Sequence, residues 1–185
     1  MPNVVADKYA QEIQAILAKY PAEERRSAVM PLIYLVQRER MHVDRKDMAE
    51  IAGILGISTT EVASIVGFYS LYYDKPGGRY RIQVCTDLPC ALRGADKFLQ
   101  ELCARLNIQP GETTSDGLIT VEAVMCLAAC DKAPMFQVQS GAGLEYHENQ
   151  TVETALGLIE QLRADAARRR GPVENTSRRG TPGRE

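Results

Sequence analysis

Two pairs of cysteines constrain this chain more than any other feature. Cys85 and Cys90 form C-x4-C in CTDLPC, and Cys126 and Cys130 form C-x3-C in CLAAC. Each pair falls where a strand-like run gives way to a loop. Loop backbone can wrap a ligand and point N–H groups at it, whereas a regular helix or strand has already committed those donors. A fold that brings the two loops together gathers four thiolates in one place.

Four thiolates from two loops suit a [2Fe–2S] unit, in which each iron takes two protein ligands. Structural zinc is one alternative, although it more often uses tighter C-x2-C pairs and includes histidine. A disulfide or inert thiols is another, disfavoured in an intracellular setting. Thiol–disulfide exchange would need C-x-x-C at a helix N-terminus, a spacing neither pair has. His42 and His147 are far in sequence from both loops, so the two histidine ligands of a Rieske centre are lacking. The fifth cysteine, Cys103 in LQELCARL, shares an apolar helix face with Phe98, Leu99 and Leu102 and reads as a small core residue.

Near the two pairs, Leu88, Leu92, Met125 and Leu127 are expected to keep water off a bound cluster. Asp87 and Asp131 bring negative charge close to the thiolates, which disfavours adding an electron and predicts a low reduction potential.

The rest of the chain divides by period. From Asp7 to about Tyr73 it reads as helical. Tyr9, Ile13, Ile16 and Leu17 recur at helical spacing up to Pro21, and a second stretch from Glu23 to Arg40 is expected to kink or restart at Pro31. Asp44 is placed to cap a helix that ends at Gly56, and Ser58 with Glu61 has capping-box spacing for another. After Pro76-Gly77-Gly78 the pattern becomes strand at Tyr80 to Cys85, helix from Ala91 to Leu106, strands at Leu118 to Val124, Met135 to Gln139 and Leu144 to Glu148, and a helix from Thr151 to about Ala167. The expected class is α+β. A helical docking region (1–76) precedes a thioredoxin-like mixed sheet with flanking helices (77–167), and an Arg/Gly/Pro-rich stretch (168–185) reads as a disordered tail.

Composition narrows the partners. Residues of the two charge signs number 22 and 24, for a net charge of -2, which gives no general attraction to nucleic acid or an anionic membrane. The helix pair before Tyr73 suggests helix-turn-helix, but Thr59 to Tyr73 carries no Lys or Arg to meet phosphate. No run of about 18 apolar residues predicts direct membrane insertion, and MPNVVADKYAQEIQ lacks the features of a secretory leader. A cytoplasmic chain of 185 residues with 45% apolar content has ample material for a core.

CTDLPC followed by VMCLAACDKAP, with VMPL and V-x-x-F-Y-S in a helical region upstream, resembles the thioredoxin-like [2Fe–2S] component of the NADH-quinone oxidoreductase (respiratory complex I) family. The resemblance covers approximately residues 7 to 165. It implies cluster ligation by Cys85, Cys90, Cys126 and Cys130, and docking beside an FMN-bearing, NADH-binding subunit and further iron–sulfur subunits. It implies membrane association only through the complex, on the cytoplasmic or matrix side. FMN and NADH would belong to the partner, consistent with the absence here of a G-x-G-x-x-G after a strand. The chain would then be a subunit of an enzyme without a complete active site of its own. The equivalent subunit of an NAD-linked hydrogenase or formate dehydrogenase fits the same motifs, and a zinc-binding interaction module is the reading from another class. Pro134 stands where thioredoxin-like folds commonly place a cis-proline.

Overall fold

The computed structural model describes residues 4–169. Its first half is helical: α1 (Val4–Lys8), α2 (Ala10–Leu17), a 3-10 turn (Ala22–Ala28), α3 (Val29–Arg40), α4 (Arg45–Leu55) and α5 (Thr59–Phe68). The break expected near Pro31 falls earlier, at Ala28. Pro31 then occupies the first turn of α3, where a missing N–H has no intrahelical partner to lose. Capping boxes start α4 at Asp44 with Asp47 and α5 at Ser58 with Glu61, and Gly56 ends α4 in the left-handed conformation at φ 68°. Leu32, Ile33, Val36, Ile51 and Val62 form the centre of one apolar cluster.

The second half comprises β1 (Tyr80–Cys85), α6 (Leu88–Leu92), α7 (Ala95–Leu106), β2 (Ile119–Val124), β3 (Phe136–Ser140), β4 (Gly143–His147) and α8 (Val152–Arg169). The single helix expected over Ala91 to Leu106 is two, because Gly94 turns the chain at φ 92° between α6 and α7. The sheet order is β2-β1-β3-β4. β1 runs parallel to β2 and antiparallel to β3, which is antiparallel to β4. The chain is thus α+β with a mixed sheet, as the sequence predicts.

The register places Ile82 between Val121 and Val138, and Val84 beside Phe136. This apolar face packs against Phe98, Leu99 and Leu102 of α7 and Val152, Ala155 and Ile159 of α8. The opposite face carries Arg81 and Gln83, Thr120 and Glu122, and Gln137 and Gln139. An alternating strand commonly leaves its polar row in water. Here Arg81, Gln83, Thr120, Gln137 and Gln139 are all buried, because the chain from Leu71 to Gly78 lies over them.

That covering segment is pinned from both sides. The Leu71 carbonyl accepts from Gln37 Nε2 of α3 at 2.7 Å and from Gln139 Nε2 of β3 at 3.0 Å. The Tyr73 N–H donates to Gln37 Oε1 at 2.9 Å, and the Gly78 N–H to Thr120 Oγ1 at 2.6 Å. No single helix among the described residues is long and apolar enough to cross a membrane. The Arg/Gly/Pro-rich stretch read as a tail from 168 lies outside the described residues from 170 onward.

Candidate metal centre

The parallel pairing of β1 with β2 sets Cys85 opposite Val124, so both chains leave the sheet at one level. Thr86 fastens the two exits, its N–H and hydroxyl both donating to the Val124 carbonyl at 2.9 and 3.3 Å. Asp87 accepts from the Leu88 N–H at 3.0 Å and starts α6, with Pro89 in the first turn. One turn later Cys90 is carried inward and fully buried.

The second loop is shaped by Ala128, left-handed at φ 58°, which aims its N–H back at Cys126 Sγ, 3.3 Å away. Cys130 opens a 3-10 turn (Cys130–Lys132), and the Ala133–Pro134 peptide is cis, as expected for this fold. Arg93 Nε donates to the Ala133 carbonyl at 3.1 Å and ties the end of α6 to this loop. Nothing in the local sequence signals that tie, which joins residues 40 apart.

Three of the four predicted cysteines, Cys85, Cys90 and Cys130, share one cluster, and Cys126 lies beside Cys130 at its exposed side. Cys85 and Cys90 pack with Ala95, Ala133 and Met135, with Cys130 and Leu127 against them. Burial, followed by the neighbouring Cys85 and Cys130 thiols, pushes the Cys90 thiol up to about 12. Desolvation and the adjacent Cys126 push Cys130 upward as well. Thiols that raise one another in this way become thiolates together only against concentrated positive charge, such as a bound metal would supply.

All five cysteines are free. Among the described residues no three Cys, His, Asp or Glu side chains gather about one point as a single ion would require. A two-iron unit spreads its ligands over a longer body, two cysteines to each iron. Cys85 and Cys90 are buried, Cys130 is half-buried and Cys126 is exposed, so one end of the site is dry and the other faces out.

The expected apolar shield differs. Leu127 packs inward, but Leu88, Leu92 and Met125 are 69%, 80% and 76% exposed. Leu88 and Leu92 lie one turn apart on α6, and with Cys90 between them pointing in they must point out. The inner lining is instead Ala95, Ala133 and Met135. Asp87 has its carboxylate engaged in capping, and Asp131 is largely exposed, 3.6 Å from Lys132.

The remaining candidates stand apart as predicted. Cys103 sits in the sheet core, its thiol pushed up by burial and by Glu112. His42 contacts the Arg40 carbonyl in the helical half, and His147 stacks on Phe136 with ring centroids 5.2 Å apart.

Residues 13–163 match the family model described as thioredoxin-like [2Fe-2S] ferredoxin. This chain belongs to that family. A relative from the NADH-quinone oxidoreductase of Rhizobium meliloti (strain 1021) is 39% identical over 154 residues, covering 83% of this chain and 88% of its own. Subunit 2 of the NADH-quinone oxidoreductase of Thermus thermophilus is 40% identical over 152 residues, 82% of each chain. The NADH-quinone oxidoreductase relative from Mycobacterium tuberculosis (strain ATCC 25618 / H37Rv) is longer, and the match spans 62% of it. Among solved structures, an NAD+-reducing [NiFe]-hydrogenase in the H2-reduced state shares the fold with a TM-score of 0.60 at 24% identity, over 72% of this chain but 22% of that one. Family membership accounts for the thioredoxin-like sheet and for a [2Fe–2S] cluster as the cofactor.

Proposed function

We propose that Cys85, Cys90, Cys126 and Cys130 are the four ligands of that [2Fe–2S] cluster. The chain then acts as the electron-transfer subunit of an NADH:quinone oxidoreductase, exchanging electrons with FMN in a neighbouring NADH-binding subunit. The observation that carries this is the convergence of two cysteine loops at the parallel β1–β2 edge, with the thiols close enough to raise one another. When bound, the cluster supplies a one-electron site. Cys90 is oriented by α6, whose start is fixed by Asp87, and Cys126 by the turn at Ala128. Ala95, Ala133 and Met135 keep water from the inner pair. Further iron–sulfur subunits complete the assembly, and the chain meets the membrane only through it, on the cytoplasmic or matrix side.

Iron, sulfide and zinc analysis of the purified full-length chain tests the ligand assignment directly. Near-equimolar iron and sulfide, a reddish-brown colour and a cluster EPR signal on reduction are expected. Zinc in a colourless protein refutes it. The hydrogenase-type assembly is the second reading, favoured by the likeness to the NAD+-reducing [NiFe]-hydrogenase fold. Copurification decides between them: quinone-linked and membrane-arm subunits support the first, a nickel- or molybdenum-containing subunit the second. Residues 1–76 supply a further docking region, supported by Phe68, 81% exposed beside Tyr69 at the end of α5.

A further inference from the structure

We infer that the enclosed Arg81–Glu122 ion pair, covered by the segment from Leu71 to Gly78, sets the reduction potential of the cluster from the polar face of the sheet. This rests on the ligand assignment above. The pair acts through its field and not by ligation: Glu122 holds the potential down and Arg81 holds it up.

Register puts the pair on the same side of the sheet as the first cysteine. Successive side chains of a strand alternate between faces, so Arg81, Gln83 and Cys85 of β1 share one face. Gln83 pairs with Glu122 on one side and with Gln137 on the other. Glu122 therefore stands two residues before the level of Cys85 and Val124, about 7 Å along the strand. Arg81 starts two residues further back and reaches forward, its Nη1 donating to the Glu122 carboxylate at 2.5 Å. The carboxylate is the nearer of the two charges.

Little solvent reaches either charge. The Arg81 side chain is 5% exposed and that of Glu122 19%. The guanidinium lies against the Tyr73 ring, and its Nη2 donates to the Lys75 carbonyl at 3.3 Å. Its Nε finds no partner among the described residues, and a Cβ on Gly77 would collide with it. Gly77 thus leaves room for a cation beneath the covering segment. Charges enclosed in this way are screened by salt much less than exposed ones. Their pairing is weak evidence of a stabilising role, because desolvating two ions offsets their attraction, and apolar side chains of similar volume often close such a layer equally well. Apolar side chains supply no fixed charge beside a redox site.

The signs follow from the charges. Reduction adds one electron to a unit that four thiolates already make anionic. The Glu122 carboxylate repels that electron and the Arg81 guanidinium attracts it. Neutralising either member leaves the field of the other uncompensated, so the two substitutions shift the potential in opposite directions. A pair that only packed the layer would shift it in neither, or in one common direction through distortion of the site.

The test uses purified full-length chain carrying its cluster, with iron and sulfide measured for each variant. Potentials come from EPR-monitored titration at about pH 8.5, well above the carboxylate range. Glu122→Gln should titrate above wild type and Arg81→Met below it, while Arg81→Lys, which keeps the charge, should stay closer to wild type than Arg81→Met. In about 1 M salt, where screening acts within about 3 Å, Glu122→Gln should keep most of its shift and the exposed Asp131→Asn should lose most of its own. An unchanged or lowered potential in Glu122→Gln overturns the inference, as does a shift of Glu122→Gln and Arg81→Met in the same direction. So does a Glu122→Gln shift that disappears in salt, or loss of the cluster from Glu122→Gln, which would make the pair a part of the fold alone. If Arg81→Met alone loses the cluster, the rise in Glu122→Gln against the near-constant Arg81→Lys decides. Wild-type protein lacking iron and sulfide overturns the ligand assignment itself, an outcome visible before any titration.

Discussion

The Arg81 guanidinium lies over the Tyr73 ring, 3.5 Å from its centroid, while its Nη1 donates to Glu122 at 2.5 Å. The Tyr73 hydroxyl donates to the same carboxylate at 3.1 Å and accepts from Gln83 Nε2 at 2.7 Å. Gln137 Nε2 in turn donates to Gln83 Oε1 at 2.5 Å. One polar network therefore links three strands to the segment that follows the helical half. In a poorly solvated setting each member depends on the others, because an abandoned partner stays desolvated. Polar contacts of this kind, together with Gln37 and Gln139 on the Leu71 carbonyl, fix how that segment lies on the sheet.

Tyr73→Phe keeps the ring under Arg81 but removes one acceptor from Gln83 and one donor from Glu122. A loss of roughly 1–2 kcal/mol is expected, read as a lower Tm at equal cluster content. Tyr73→Leu also loses the cation–π contact and should cost about 2–3 kcal/mol. If both variants melt with the wild type, the network is not stabilising.

The same hydroxyl predicts a pH dependence. Burial first, and the Glu122 carboxylate second, hold the Tyr73 hydroxyl above its ordinary value of 10.0, with Arg81 opposing. Its contribution is complete below the unfolded value. Between that value and the higher folded one the unfolded chain has released a proton that the folded chain keeps, so stability falls as pH rises. The Tm gap between wild type and Tyr73→Phe should narrow from about pH 9 to about pH 11. A gap that widens over that range contradicts the assignment.

Local signals carried much of this fold in the sequence, and long-range ones did not. Asp44, Ser58 and Gly56 act within a turn or two of themselves, so their roles at helix ends are legible from spacing. The cysteine quartet is legible because both loops sit at strand ends. Arg81 and Gln83 are different: the cover that buries them comes from Leu71 to Gly78 and is held by Gln37, far away in sequence. The outward aim of Leu88 and Leu92 also escapes a composition-based reading. It follows only once α6 is seen to be a helix with Cys90 on the other side, and α6, five residues long with a proline in its first turn, offers almost no periodicity.

Gly78 is a glycine whose replacement the fold should resist. A Cβ there would lie 2.7 Å from both the Leu118 carbonyl oxygen and the Thr120 nitrogen, and both are backbone atoms of the β2 entry that cannot swing aside. Gly78→Ala should cost about 2 kcal/mol or more through displaced pairing. Gly53→Ala, with open space around its position in the helical half, should stabilise by a few tenths to about 1 kcal/mol. Thermal unfolding of the two variants at equal cluster content checks the contrast.

Charge near the cysteines should act unevenly. Asparagine caps helices about as well as aspartate, so Asp87→Asn removes a charge from the start of α6 while leaving the helix in place. The potential should rise, because one repulsion against the added electron is gone. Asp131 is 77% exposed at its side chain and lies beside Lys132, so solvent and a neighbouring cation weaken its field. Asp131→Asn should raise the potential less than Asp87→Asn. EPR-monitored titrations showing the reverse order, or a fall in either variant, would contradict this electrostatic picture.

Cys103 and Cys90 are both buried and both held above the ordinary thiol value, yet they belong to different clusters of side chains. Cys103 has Phe98, Leu99 and Leu102 around it, and its burial is a packing contribution. Cys103→Ala should leave iron and sulfide content and the EPR signal intact and lower stability by about 1 kcal/mol. Cys90 has Cys85 and Cys130 as neighbours, and Cys90→Ala should abolish cluster retention, because one iron loses half of its protein ligands. Cys126→Ser separates ligation from burial. Its side chain is exposed, so the apo chain should melt close to wild type, while the reconstituted cluster should show an altered spectrum. A Cys126→Ser protein with an unchanged cluster spectrum would remove Cys126 from the ligand set and leave its exposure without a redox role.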